Sequence, residues 1–430
     1  MRLRSVSGFL NGGLWNTLGV LAVSLIVRRV VRNETTDMIS RAEVVVIGGG
    51  CNGASIAYHL AKRGVTSVAL LEKSFLAFGG TGKSSAIVRQ HYSNEETAKM
   101  ALESLRVFQN FEKQVGGTSG FTQTGFLVLV GPKDLEGLGA NASMQRALGI
   151  DTRVISLEEL SELEPEIRTV DLAAAAYEPE SGFADPVSTT NSFAKQAESM
   201  GAKVLVKTEV VGIRTENGKV QSVLTNRGKI DADVVVNATG VWGARVADMV
   251  GVKVPLTPTR HPVCYMRCPE GFREMNRVVL DYPNAMYVKP EGIPGRKFQV
   301  GSIESNVTGL EIDPDNYGDG IDFETITGYA GRVTARYPRM EMGVTMGGFS
   351  GPYDVTPDWH PILDRTRVEG FYLAVGFSGH GFKLCPAVGR LMAELITEGK
   401  TSCVDIKFFR SSRFEEGNPI RGRYEYSIVG

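Results

Sequence analysis

The sequence predicts an α/β protein in which one domain, built on a parallel sheet, is assembled from separated segments, and a strand-rich second domain is formed by the insertions between them. Three observations predict it. "EVVVIGGGCNGASIAYHLAKRG" followed by "SVALLEK" reads as an apolar strand, a glycine turn, a helix and a second strand, a βαβ unit. Residues 203–240 and 255–350 are dominated by short strand-like runs. The chain then returns to the α/β pattern with "GFYLAVG" and a terminal helix. A length of 430 residues with 42% hydrophobic content suffices for two such domains.

The first 40 residues stand apart. "SGFLNGGLWNTLGVLAVSLIV" carries no charge and is long enough to cross a bilayer, with Arg2 and Arg4 before it and Arg28, Arg29 and Arg32 after it. That arginine bias would anchor the body on the cytoplasmic face. The competing expectation is a true start at Met38, which leaves a cytoplasmic protein without the segment.

From Arg41 the elements follow in order. Ile56, Ala57, Leu60 and Ala61 face inward on the first helix. Ser93 with Glu96 reads as a capping box opening a helix with Ala101, Leu105, Phe108, Phe111 and Val115 on one face, and the strand "TGFLVLV" follows. Asp185 and Pro186 cap and start another helix that ends near Gly201. Turns fall at Asn217-Gly218 and Arg227-Gly228, and a helix is expected near 323–336. Val388, Leu391, Met392, Leu395 and Ile396 form the apolar stripe of a final helix expected to start near Leu384 or Pro386. The expected boundaries place the first domain at 41–92, 181–254 and 345–404, the second at 93–180 and 255–344, and an extended tail at 405–430.

A formal net charge of -1 offers no field for nucleic acid, so no nucleic-acid partner is expected. The five cysteines, Cys51, Cys264, Cys268, Cys385 and Cys403, are scattered, without zinc-ligand or disulfide spacing, and read as free thiols in a reducing compartment. No metal is expected.

Gly48, Gly50 and Gly53 make G-x-G-x-x-G between strand and helix, where bare backbone approaches a pyrophosphate and the helix N-terminus stabilises its charge. Glu72 ends the next strand at the spacing where an acid accepts ribose hydroxyls. A dinucleotide is indicated, and NAD and FAD both satisfy the pattern.

"VVVIGGGCNGASIAYHLAKRG", "GGTGKSSAIVRQHYS", "VVVNATGVWG", "YDVTPDWHPIL" and "GFSGHGFKLCPAVG" decide between them. Together, in this order, they resemble the D-amino-acid oxidase (DAO) superfamily, in the branch of sarcosine oxidase β-subunits, dimethylglycine dehydrogenases and glycine oxidases. The resemblance implies FAD, a glutathione-reductase-like FAD-binding Rossmann domain, and a substrate domain whose large mixed sheet covers the flavin. By its motifs, Gly48, Gly50, Gly53 and Glu72 hold the ADP half, and Lys73 and Val210 join that set. Lys83, Ser84 and Ser85 fall near the pyrophosphate and ring, Ala238, Thr239, Gly240 and Trp242 near the adenine side or the linking strand, and Gly379 and Gly381 against the isoalloxazine, with Phe382 and Lys383 also among the cofactor-binding residues.

Arg89 and Lys383 match the pair that grips the substrate carboxylate in relatives, with the Cα–H held over flavin N5. Their plainer assignments are an arginine paired with a structural acid and a lysine capping a helix. His91, His360 and His380 read as shaping groups, His380 being nearest the flavin. The histidine and cysteine positions to which relatives attach a flavin are not filled here, so noncovalent FAD is expected. Gln299 stands where oxidases place an oxygen-activating lysine, with Lys297 displaced, so a dehydrogenase is as credible as an oxidase. The resemblance thus implies oxidation of a small secondary or N-methylated amino acid by hydride transfer, the imine then being hydrolysed. The alternatives are a 2-hydroxy-acid dehydrogenase and a non-catalytic FAD-binding assembly factor. The expected partners are a small amino-acid substrate, a membrane electron acceptor, and either a second copy of the chain or a heteromeric oxidase complex.

Overall fold

The structure, a computed structural model, describes residues 39–304 and 311–422. The apolar segment and the start at Met38 lie outside the described residues. Among the described residues, no helix is long and apolar enough to cross a membrane.

The first sheet has a parallel core. β1 (Arg41–Ile47) lies between β2 (Val68–Leu71) and β12 (Gly228–Asn237); β9 (Lys203–Leu205) pairs with β2, and β19 (Phe371–Val375) with β12. All four pairings are parallel, and β2 and β19 are apolar and buried along their whole length. The antiparallel strands β10 (Val210–Glu216) and β11 (Lys219–Thr225) extend one side of this sheet, and β18 (Ile362–Arg365) pairs with β19. Asn217 and Gly218, both at positive φ, make the tight turn expected between β10 and β11.

Three helices pack together on this sheet. α1 (Cys51–Lys62) buries Ile56, Ala57, Leu60 and Ala61. α4 (Pro186–Ser199) is capped by the Asp185 carboxylate, which accepts the Ser188 amide at 2.6 Å. α6 (Gly381–Glu398) buries Val388, Leu391, Met392 and Leu395 in the same core as α1. It starts at Gly381, earlier than expected, so Lys383 sits in its first turn and Pro386 inside the helix. A first turn needs no intrahelical donors, which is why the glycine loop can wind directly into it. α2 (Glu95–Gln109) differs by one residue from expectation: Asn94, not Ser93, is its cap, accepting the Thr97 amide at 2.8 Å.

The second sheet has eight strands in the order β17 (Val344–Val355), β13 (Thr257–Arg267), β16 (Lys297–Ser302), β15 (Met286–Pro290), β14 (Val278–Asp281), β5 (Phe126–Val130), β7 (Ala174–Glu178) and β6 (Arg153–Ile155). It is mixed, since β14 and β5 run parallel and the other pairings are antiparallel. Helices α3 (Leu135–Ala147) and α5 (Phe323–Arg336) belong to its side of the chain. The chain returns to the first sheet at Ile362 rather than near 345, because β17 pairs along its length with β13. A small third sheet joins β3 (Ile87–Val88), β4 (Thr122–Gln123) and β8 (Gly182–Phe183).

The described part of the tail is not extended. Residues 406–409 and 411–413 form short helical turns. Arg413, fully buried, donates to both Asp358 oxygens at 2.7 and 2.9 Å and to the His360 carbonyl at 2.8 Å. A buried guanidinium needs this full set of acceptors, and meeting it fastens the segment to the "TPDWHP" loop.

Candidate active site

The carboxyl ends of the parallel strands define a cleft of about 260 Å³. Its wall takes Ile47 at the end of β1 and Gly48 after it, Glu72 after β2, Ala238 to Trp242 after β12, and Phe377 and Gly379 after β19. This is where open α/β sheets receive ligands.

Gly48 has φ +109, and a Cβ there would lie 2.4 Å from the Ala238 carbonyl oxygen. A Cβ on Gly53 would lie 1.9 Å from the Gly48 carbonyl oxygen, so Gly53 lets α1 pack on the turn and does not line the cleft. Gly50 caps α1 with no side-chain bond of its own, and although the Thr81 hydroxyl accepts the Cys51 amide at 3.2 Å, a helix N-terminus favours an anion. Glu72 accepts the amides of Gly49 and Ser74 at 2.8 and 2.7 Å while lining the cleft. Burial raises its pKa, opposed by those two amides and by Lys73. These features fit an FAD: a glycine turn at a helix N-terminus for the pyrophosphate, an acid at ribose spacing, and a second helix N-terminus at the far end. Lys73, Ser84, Val210, Thr239, Gly240, Gly381 and Phe382 also line the cleft.

The far end is shaped by strain. Gly376, Ser378 and Gly379 all take positive φ, including +51° at Ser378. Asp354 secures this loop: its Oδ2 accepts the amides of Gly376 and Phe377 at 2.7 and 3.1 Å. Burial still outweighs those amides and pushes the Asp354 carboxyl up to about 6. Ser378 Oγ accepts the Thr356 amide at 3.1 Å. A left-handed non-glycine residue persists only where its surroundings determine it.

A second, smaller pocket of about 80 Å³ is lined by Arg89 and Lys383. It shares Ser84, Tyr353, Gly379 and Phe382 with the cleft. Both cations are buried. Arg89 lies over the Tyr92 ring, 4.4 Å from its centroid, and donates to the His91 carbonyl. Burial, then the nearby Arg89, drives the Lys383 ammonium well below its usual range, and its Nζ lies 3.4 Å from the Gly379 carbonyl. His380 also lines this pocket; its Nδ1 is 3.2 Å from the Tyr92 hydroxyl, and burial with Lys383 and Arg89 keeps the ring neutral.

Some expected residues are elsewhere. Lys83 lines neither space; its ammonium turns to the Tyr317 hydroxyl at 2.8 Å and Asp319 at 3.3 Å. Ser85 faces the small pocket and meets the Tyr287 hydroxyl at 2.8 Å. His360 is held between the Asp358 carbonyl and Asn94, outside both spaces. His91 is buried and lines neither. Gln299 bonds the Tyr265 hydroxyl.

Sequence reasoning missed two features. The first is an aromatic stack on the pocket wall, with His261 parallel to Tyr353 at 4.5 Å and to Tyr287 at 6.0 Å. Tyr353 opens the "YDVTPDWHPIL" motif and carried a signal; the other two come from unmarked strands. The second is an acidic strap, residues 311–320. Its ends are fixed by Ile312 on the Pro258 carbonyl at 2.9 Å and by the Ser350 amide on the Asp319 carbonyl at 2.7 Å. Between them Asp315, a cleft-lining residue, accepts Lys73 and the Trp242 indole, each at 2.8 Å, and Arg245. Burial opposes ionisation, yet Lys73, Trp242 and Arg245 hold the Asp315 carboxyl at about 2. Asp315→Asn is expected to speed FAD release about 2- to 5-fold, with the difference shrinking at high salt, as the loss of exposed ion pairs implies. Recovery of flavin fluorescence after dilution measures it.

A dinucleotide cleft that opens through a strained glycine loop onto a small cationic pocket defines a flavin-dependent oxidoreductase. A family model described as DAO, FAD dependent oxidoreductase, matches residues 43–395, and the chain belongs to that family. It is 30% identical over 415 residues to the mitochondrial sarcosine dehydrogenase of Homo sapiens, which covers 93% of this chain and 45% of that protein. The chain thus spans about half the length of the sarcosine dehydrogenases it matches. It is 28% identical to a sarcosine oxidase subunit beta of Arthrobacter sp, over 88% of this chain and 92% of that one. Among solved structures, L-proline dehydrogenase from P. horikoshii superposes with a TM-score of 0.81 at 31% identity, covering 89% of this chain and 100% of that one.

Proposed function

We propose that the protein oxidises a small secondary or N-methylated amino acid, with noncovalent FAD as its electron acceptor. The observation that carries the reading is that Arg89 and Lys383 line one small pocket that shares Gly379 and Phe382 with the dinucleotide cleft. Bound FAD supplies the chemistry of accepting a hydride from the carbon next to the substrate nitrogen. The chain's own residues do the rest. Arg89 and Lys383 hold the carboxylate, and the arriving anion favours the charged form of Lys383 that burial disfavours. Ile87, Phe126, Leu280 and Ile303 offer apolar walls, suited to a substrate without a charged side chain. No residue need act as base if the same dry pocket keeps the substrate amine unprotonated. The names of the relatives, sarcosine dehydrogenase, sarcosine oxidase subunit beta and L-proline dehydrogenase, support this substrate class and a heteromeric assembly.

The test is anaerobic mixing with a substrate panel. Sarcosine, dimethylglycine or proline is expected to bleach the flavin, and lactate, 2-hydroxyglutarate and glycerol phosphate are not. Bleaching by a hydroxy acid alone would replace the amine reading. Reoxidation by an artificial dye but slowly by oxygen would mark a dehydrogenase.

A further inference from the structure

Glu178, the last residue of β7, is fully buried. Its Oε2 accepts the Gln90 amide at 2.9 Å and the Ser181 hydroxyl at 2.8 Å. Its Oε1 has no hydrogen-bond partner among the described residues and lies 3.8 Å from His91 Nδ1. Gln90 and His91 are the two residues after Arg89, whose guanidinium bonds the His91 carbonyl. None of Glu178, Gln90 and His91 lines the pocket that Arg89 lines. An acid is thus set into the loop that carries the pocket's guanidinium. Burying an ionisable group is costly, and an amide of the same shape would accept the same two donors without that cost.

We propose that Glu178 is a positioning residue for the substrate carboxylate: it fixes the loop 89–91 and, through its ionisation, sets how much positive charge Arg89 offers to the substrate. The proposal rests on the reading of Arg89 and Lys383 as a carboxylate clamp. Burial pushes the Glu178 carboxyl up to about 7, opposed by the Gln90 amide, the Ser181 hydroxyl and Arg89. Among the described residues, His91 and Tyr92, on the loop after Arg89, are the other titratable groups beside it. Burial and Arg89 lower His91 to about 3, and burial raises Tyr92 to about 12, so neither changes charge near neutrality. On the clamp itself, His380 stays neutral and Lys383 is lowered. The sign follows. Below about 7, Glu178 is neutral and does not compete for Arg89, so an anion binds most tightly. Above it, the Glu178 carboxylate competes with the bound anion for Arg89, and affinity falls. Reciprocally, a bound anion raises the Glu178 pKa.

The experiment titrates the FAD-loaded protein with acetate, read by the flavin absorbance, between about pH 5.5 and 9. The wild type is expected to lose about 5- to 10-fold in affinity through neutrality. Glu178→Gln should lose that step and keep the low-pH affinity. Ser181→Ala removes a donor that favours the charged carboxylate over the neutral acid, and the step should move to higher pH. Ser181→Ala also decides the matter if Glu178→Gln does not hold flavin, since an unmoved midpoint overturns the proposal. A step that persists in Glu178→Gln but vanishes in Lys383→Met overturns it too, and leaves the clamp standing. Unchanged acetate binding in both Arg89→Met and Lys383→Met overturns the clamp itself.

Discussion

Replacing Arg89 by methionine is expected to raise the substrate KM about 10- to 150-fold, the loss of a charge-assisted hydrogen bond of about 1.5–3 kcal/mol, with FAD still bound. Methionine is long enough to keep the contact with the Tyr92 ring, so the change removes charge and donors more than volume. Lys383→Met should cost less above the lowered Lys383 pKa than below it. Burial and Arg89 already disfavour the Lys383 ammonium, so its contribution is complete below its lowered pKa and fades as pH rises through it. Steady-state kinetics at two pH values separate the two residues. An unchanged KM in both variants would remove the carboxylate clamp.

Gly53→Ala is expected to yield a protein that purifies without FAD and unfolds at markedly lower temperature. In an ordinary helix the exchange would stabilise by about 1 kcal/mol. Here the new Cβ lies 1.9 Å from the Gly48 carbonyl oxygen. That oxygen belongs to backbone that cannot withdraw, because Gly48 itself is wedged against Ala238. The clash outweighs the propensity gain by about 3 kcal/mol. Thermal unfolding with flavin stoichiometry tests it; a fully yellow variant of unchanged melting temperature would refute the packing argument. The effect arises at a glycine that does not line the cleft, so it reports geometry transmitted through the turn.

Much of this was legible where local chemistry dictates local shape. The βαβ unit, the Asp185–Pro186 cap, the Asn217-Gly218 turn and the helix Phe323–Arg336 each follow from residues within a few positions of one another. The cap of α2 slipped from Ser93 to Asn94 because both side chains can accept an amide, and the entry path of the chain chose between them. Lys83 looked like a phosphate ligand, but Tyr317 and Asp319 on the strap compete for it from more than 230 residues away. His261 and Tyr287, which stack with Tyr353, and the buried Glu178 were invisible for the same reason. The stack gains its meaning from strand pairing across the second sheet, and Glu178 from the Gln90 amide 88 residues away, which no single segment encodes.

The parallel core also imposes a timetable on biosynthesis. The turn that would cradle the pyrophosphate leaves the ribosome with Gly53, whereas the loop and helix start that complete the cleft arrive only with Gly379 and Phe382. At ordinary translation rates that interval is on the order of tens of seconds. The nascent polypeptide must keep its glycine turn in waiting until that loop appears, so coenzyme capture belongs to the closing moments of synthesis.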